Sequence, residues 1–92
     1  MTEPSSKYEL IFQPSAAREI RKLPRDVVAR IKKVTDALCD TPRPSDARRL
    51  SGQHGMWRIR VGDYRIVYEI NDDKLSVLVV RVAHRGKVYR NI

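Results

Sequence analysis

The residues from Trp57 to Ile70 alternate largely between apolar and polar, and a two-residue break at Gly62-Asp63 divides them. No other feature restricts the fold of this chain so tightly. A period of two sends successive side chains to opposite faces of a strand. Gly followed by Asp between two such runs is the signature of a type II′ or I′ hairpin turn, and a turn of fixed length sets the register. Val61 then opposes Tyr64, Arg60 opposes Arg65, Ile59 opposes Ile66 and Arg58 opposes Val67. Trp57, Ile59, Val61, Tyr64, Ile66 and Tyr68 share a face suited to packing. Arg58, Arg60 and Arg65 share the other.

The flanking segments complete an α+β pattern. Tyr8 to Phe12 is short and rich in aromatic and branched residues, which predicts a strand. Pro14-Ser15 signals a helix start with Ser15 as its N-cap, and Ala16, Ile20 and Leu23 fall on one stripe. Pro24 ends that helix and opens the next. Val27, Ile31, Val34 and Leu38 then recur at helical spacing until Thr41-Pro42-Arg43-Pro44 stops the run. After Ile70, the turn Asn71-Asp72-Asp73-Lys74 leads into Leu75–Val82, a continuous apolar stretch expected to be a central strand buried on both faces. The predicted architecture is β-α-α-β-β-β. Two N-terminal helices pack on one face of an antiparallel-rich four-stranded sheet, in a single domain spanning residues 1–92. Residues 1–6 are expected to fray, and residues 83–92 to form a closing segment at the site.

Charge then narrows the chemistry. The chain of 92 residues carries 19 Lys and Arg against 11 Asp and Glu, a formal net charge of +8. Residues 1–47 hold nine basic and seven acidic residues, and residues 48–92 hold ten and four, so the positive field belongs mostly to the second half. Such a balance favours an anionic partner. The lone Cys39 excludes an internal disulfide framework and a cysteine-cluster zinc site. Asp63, Asp72 and Asp73 sit in turns and His54 lies thirty residues from His84, so neither a carboxylate cluster nor a ligand spacing for a metal is visible. Ser51 and Cys39 lack a triad pattern, and Gly52 and Gly55 do not form a phosphate loop. No signal peptide or membrane span is apparent, and a cytoplasmic domain without a cofactor is expected.

Like charges placed opposite one another across a ladder destabilise it by up to about 1 kcal/mol. A sheet built for stability alone would set Glu or Thr against Arg60. The pattern instead predicts an arginine-lined face that an anion neutralises, and the guanidinium fork suits phosphate. The segment His84-Arg85-Gly86-Lys87-Val88-Tyr89-Arg90 adds basic groups interleaved with an aromatic, a combination suited to single-stranded RNA. RNA can be cut without a metal when its own 2′-hydroxyl attacks the adjacent phosphodiester. Arginines stabilise the additional negative charge of that transition state but serve poorly in proton transfer. His84 and an acidified Tyr89 are the two candidates for that task.

From Tyr8 to Arg90 the chain resembles the RelE/ParE toxin superfamily, on the RelE side. The resemblance is carried by Leu50-Ser51-Gly52, by the run Trp57-Arg58-Ile59-Arg60-Val61-Gly62-Asp63-Tyr64-Arg65-Ile66-Val67-Tyr68, and by His84-Arg85 with Val88-Tyr89-Arg90. It implies a toxin of a type II toxin–antitoxin pair that cleaves messenger RNA in the ribosomal A site without a metal. By this resemblance Arg65 and Arg85 stabilise the transition state, Tyr89 stacks on or orients the scissile nucleotide, and Arg58 and Arg60 hold the backbone. Lys87 and Arg90 add RNA contacts, and His84 stands in for proton transfer. RelE-like members often carry lysines where this chain has Arg58 and Arg60, so the general base and acid stay open. The implied partners are a RelB-like antitoxin, the ribosome with its messenger RNA, and promoter DNA through the toxin–antitoxin complex. Two other expectations compete: a ParE-like inhibitor of DNA gyrase, and an inert member that only binds RNA or antitoxin.

Overall fold

The computed structural model describes residues 7–50, 52 and 55–84. The expectations for residues 1–6 and for Arg85, Lys87, Tyr89 and Arg90 lie outside the described residues. Strand β1 (Glu9–Phe12) leads into helix α1 (Pro14–Arg21) and helix α2 (Arg25–Leu38). Strands β2 (Arg48–Arg49), β3 (Met56–Val61), β4 (Tyr64–Asn71) and β5 (Ser76–His84) follow. They form one five-stranded sheet in the order β1-β5-β4-β3-β2, with β1 parallel to β5 and the remaining pairs antiparallel. The α+β class and the two helices match expectation. The sheet has five strands rather than four, because Arg48 and Arg49 pair with Arg58 and Trp57. Two residues are too few for any periodicity to reveal.

The hairpin register is the one the turn dictates: Val61 opposes Tyr64, Arg60 opposes Arg65 and Arg58 opposes Val67. Gly62 has φ +61, and Leu75 is the residue other than glycine with positive φ among the described residues. Asp63 therefore sits at negative φ, which makes the turn type II′. A Cβ on Gly62 would also meet the Arg30 guanidinium at 3.1 Å.

The core lies between the helices and one face of the sheet. Ala16, Ile31 and Leu38 pack on Ile59, Val61, Ile66, Tyr68, Ile70, Val77, Val79 and Val82. Ile20, Leu23, Val27 and Val34 flank them, half-buried. Each fully buried Ile or Val contributes roughly 1.5–3 kcal/mol. Among the described residues no helix is long and apolar enough to cross a membrane.

Local expectations fail at three places. Gln13, not Ser15, occupies the N-cap of α1. Ser15 instead donates its hydroxyl to the Val80 carbonyl at 3.1 Å, tying α1 to the sheet. Leu75 belongs to the turn, with φ 53, rather than to the strand. Asn71 Oδ1 accepts the Lys74 N–H there and closes the turn. The middle strand is β4, where Ile66 and Val67 are both fully buried; on β5 only Val77, Val79 and Val82 are buried. Val67 is buried although it lies on the arginine face, flanked across the sheet by Arg58 and Arg81.

At the opposite end of the sheet a polar cluster anchors the loop after α2. Asp72 accepts the Tyr8 hydroxyl at 2.7 Å and pairs with Arg43 at 2.8 Å, and the Arg43 guanidinium lies 5.6 Å from the Trp57 ring centroid. The Tyr68 hydroxyl donates to the Pro42 carbonyl at 2.8 Å. That loop leads directly into β2.

Candidate functional site

Arginines from three neighbouring strands meet on the face away from the helices. Arg48 on β2 stands opposite Arg58 on β3, and Arg60 on β3 stands opposite Arg65 on β4. Together with Asp46 and Ile59 they line a hollow of about 190 Å³. At ~30 Å³ per water this equals about six waters, room enough for a phosphodiester. A roomier cavity of about 410 Å³ lies between β1 and the two helices, but its walls are chiefly apolar, with Leu10, Phe12, Ile20 and Ile31 among them. Chemistry that needs concentrated positive charge belongs to the smaller hollow.

The backbone holds these side chains in place. Arg48 Nη1 donates to the carbonyls of Ser45 and Ala47 at 3.0 and 3.2 Å. Arg60 Nε donates to the Gly62 carbonyl at 3.1 Å, which bends the side chain back over its own turn. Arg58 and Arg65 are half-buried and their Nε atoms are fully shielded from solvent. Withdrawal from water strengthens the field that a guanidinium exerts on a nearby anion. Arg58, Arg60 and Arg65, expected on one face from the sequence, do line one hollow.

Two further lining residues carry no signal in the sequence. Arg48 belongs to the two-residue strand, and Asp46 lies in the loop before it. Only the pairing of β2 with β3 shows that they share the hollow.

His84 falls elsewhere. A bulge at Val80 adds one residue to β5 between the pairs Tyr68–Val79 and Val67–Arg81. Beyond it Ala83 opposes Arg65, and His84 opposes Tyr64 on the face of Ile66 and Val82. The His84 ring stands edge-on to Tyr64, centroids 5.4 Å apart. Strand parity thus turns His84 away from the guanidinium groups, contrary to the expected partnership with Arg65. The bulge lies at Val80, where the edge of β5 passes from β1 to α1. Past Phe12 that edge is closed by Glu19, whose carboxylate accepts the Val82 N–H at 2.7 Å and the Arg81 Nε–H at 2.9 Å.

Comparison with known proteins bears on this site. The family model described as "ParE toxin of type II toxin-antitoxin system, parDE" matches residues 10–89. The chain is 34% identical over 82 residues to the mRNA interferase toxin RelE of Escherichia coli, covering 87% of this chain and 85% of that protein. It is 33% identical over 88 residues to toxin RelG of Mycobacterium tuberculosis, covering 90% of this chain and 97% of that one. The toxin in the crystal structure of the intact E. coli RelBE toxin–antitoxin complex superimposes with a TM-score of 0.77 at 31% identity, over 86% of this chain and 98% of that one.

Proposed function

The chain belongs to the RelE/ParE family of type II toxins, and from that premise we propose that it is an mRNA interferase, an endoribonuclease that arrests translation. One observation carries this reading: like-charged arginines face one another across both strand pairs and line a single anion-sized hollow. Such an arrangement is costly for folding and becomes favourable once phosphate enters. The substrate's 2′-hydroxyl attacks the adjacent phosphorus, and Arg65 with the neighbouring guanidinium groups stabilises the dianionic transition state. Arg85 and Tyr89 act from the closing segment, Arg85 on the same charge and Tyr89 on the scissile nucleotide. Arg58, Arg60, Lys87 and Arg90 hold the backbone.

Contacts to phosphate fix position without reading sequence. The messenger must therefore be presented by something that exposes a single strand in register, and the ribosomal A site is that presenter. The partner in the absence of stress is a RelB-like antitoxin with an acidic or amphipathic segment that folds on binding, in keeping with the complex formed by the E. coli relative. Promoter DNA is reached through that complex.

The test is induction of the toxin alone, followed by primer extension on an abundant transcript. Cuts within translated frames are expected, and Arg65→Ala should abolish both the cuts and growth arrest. The ParE name of the family model favours the competing reading, a gyrase-directed binder. Intact messenger RNA with a DNA-damage response would establish that alternative and end the nuclease reading.

A further inference from the structure

The bulge that turns His84 away has a second effect. Val77 and Val79 point into the core, so unbroken alternation would send Arg81 there as well. With Val80 inserted, Arg81 stands opposite Val67 and joins the face that carries Arg58 and Arg65. Bulges re-aim side chains in this way beside active sites. On that face Arg48, Arg58, Val67 and Arg81 form one row across β2, β3, β4 and β5. Neighbouring strands lie about 4.8 Å apart, so the Arg81 backbone stands roughly 10 Å from that of Arg58. Val67 between them is fully buried. The next row on this face, Met56, Glu69 and Leu78, carries an acid and no cation. Positive charge therefore runs across the strands as far as β5 and stops short of Glu69.

Arg81 is held in a particular way. Its Nε–H donates to Glu19 Oε2 at 2.9 Å, while Glu19 Oε1 accepts the Val82 N–H at 2.7 Å. The carboxylate is thus fixed twice, by a backbone group and by one edge of the guanidinium. Both side chains are about a quarter exposed, so the pair borders solvent. An arginine gripped through Nε presents its two Nη groups as a fork, the part that bonds phosphate bidentately. The contact with Glu19 fixes that fork at the sheet edge before a ligand arrives, which lowers the entropic cost of binding.

Resting on the ribonuclease reading above, we propose that Arg81 binds the substrate phosphate next to the scissile one, and that Glu19 orients it for that contact. The hollow on β2, β3 and β4 takes the scissile phosphate. The strand then crosses Val67 and brings its neighbouring phosphate to Arg81. No bond or proton is exchanged there. Arg81 is a binding residue that sets the line of the RNA across the sheet, and Glu19 is a positioning residue.

Binding is measured on ribosomes programmed with a messenger that carries 2′-deoxy substitution at the scissile nucleotide and both its neighbours, which blocks cleavage. Versions of that messenger carry one uncharged methylphosphonate linkage, on one side or the other of the scissile phosphate. One of the two should weaken wild-type binding by about tenfold, the typical worth of a hydrogen bond to a charged group, and should leave binding by Arg81→Gln unchanged. With ordinary linkages, Arg81→Gln should bind about tenfold more weakly than wild type, and the slope of log K against log salt should become shallower by about 0.7. Glu19→Gln separates this role from a structural one. Its amide oxygen still accepts the Val82 N–H, and it removes a negative charge about 6 Å from the bound phosphate, so binding should tighten about threefold in a water-like dielectric. An ion pair that serves the fold alone predicts instead that both variants bind alike. Arg81→Met keeps the apolar stem over Val67 and replaces the Gln variant should that one not fold. Equal sensitivity of wild type and the Arg81 variant to both neutral linkages, or binding by Glu19→Gln no tighter than wild type, overturns the assignment. Failure of the wild type to cut an all-ribose messenger on the same ribosomes would instead sink the ribonuclease reading.

Discussion

Replacing Arg60 with threonine should make this protein more stable while disabling it. Arg60 faces Arg65 directly across the hairpin and shares its face with Arg58 two residues away on the same strand. Cross-strand neighbours lie roughly 5.5 Å apart and same-face neighbours about 7 Å. In a water-like dielectric the two repulsions amount to roughly 0.75 and 0.6 kcal/mol. Removing Arg60 also forfeits the Nε hydrogen bond to the Gly62 carbonyl, worth about 0.5–1 kcal/mol. The net expectation for Arg60→Thr is a gain of about 0.5 kcal/mol at low ionic strength, or about 2–4 °C in Tm for a chain of this size. Thermal unfolding in 20 mM and 500 mM NaCl measures it. The gain should shrink in high salt, where the Debye length falls to about 4 Å. A double-mutant cycle with Arg65→Thr isolates the cross-strand part. A destabilised Arg60→Thr protein at low salt, or zero coupling in the cycle, would refute the claim that this face sacrifices stability for anion binding.

Two other outcomes follow from contacts far from the hollow. The Arg43 guanidinium and the Tyr8 hydroxyl, both bonded to Asp72, hold its carboxyl below the ordinary carboxylate range. That lowered value adds stability above the unfolded-state pKa, and the contribution is lost as pH falls through the folded one. Acid titration of stability should therefore flatten in Asp72→Asn, a comparison made by urea unfolding between pH 2 and pH 6. Glu19→Ala strips the carboxylate from the Val82 N–H and from Arg81. Because the site is about a quarter exposed, a loss of about 1–2 kcal/mol is expected, together with faster hydrogen exchange at Val82 by NMR.

The parts of this molecule that were legible in the chain are those governed by neighbours in sequence. The 3.6-residue spacing of Val27, Ile31, Val34 and Leu38 places α2 on the core, and the period of two from Trp57 onward places the hairpin. A turn of two residues leaves no freedom in how Arg60 meets Arg65, so three arginines of the hollow could be assigned to one face before any tertiary contact was known. Ser15 misled because a hydroxyl beside a helix start has two uses. Capping the helix is local, and bonding Val80 across sixty-five residues is not.

What remained hidden depends on which segments meet. Arg48 and Asp46 join the hollow only because a two-residue strand docks on β3, a pairing too short to imprint a pattern. His84 faces away from Arg65 because one extra residue at Val80 inverts the parity of β5, and a bulge leaves no mark in an unbroken run of apolar residues. Periodicity records the environment each residue seeks, whereas pairing partners and slips in register are settled by chain closure and packing over the whole domain. Alternation and a two-residue turn are thus enough to foretell an arginine face. How many strands furnish that face, and which loop borders its hollow, follow from the docking of β2 on β3.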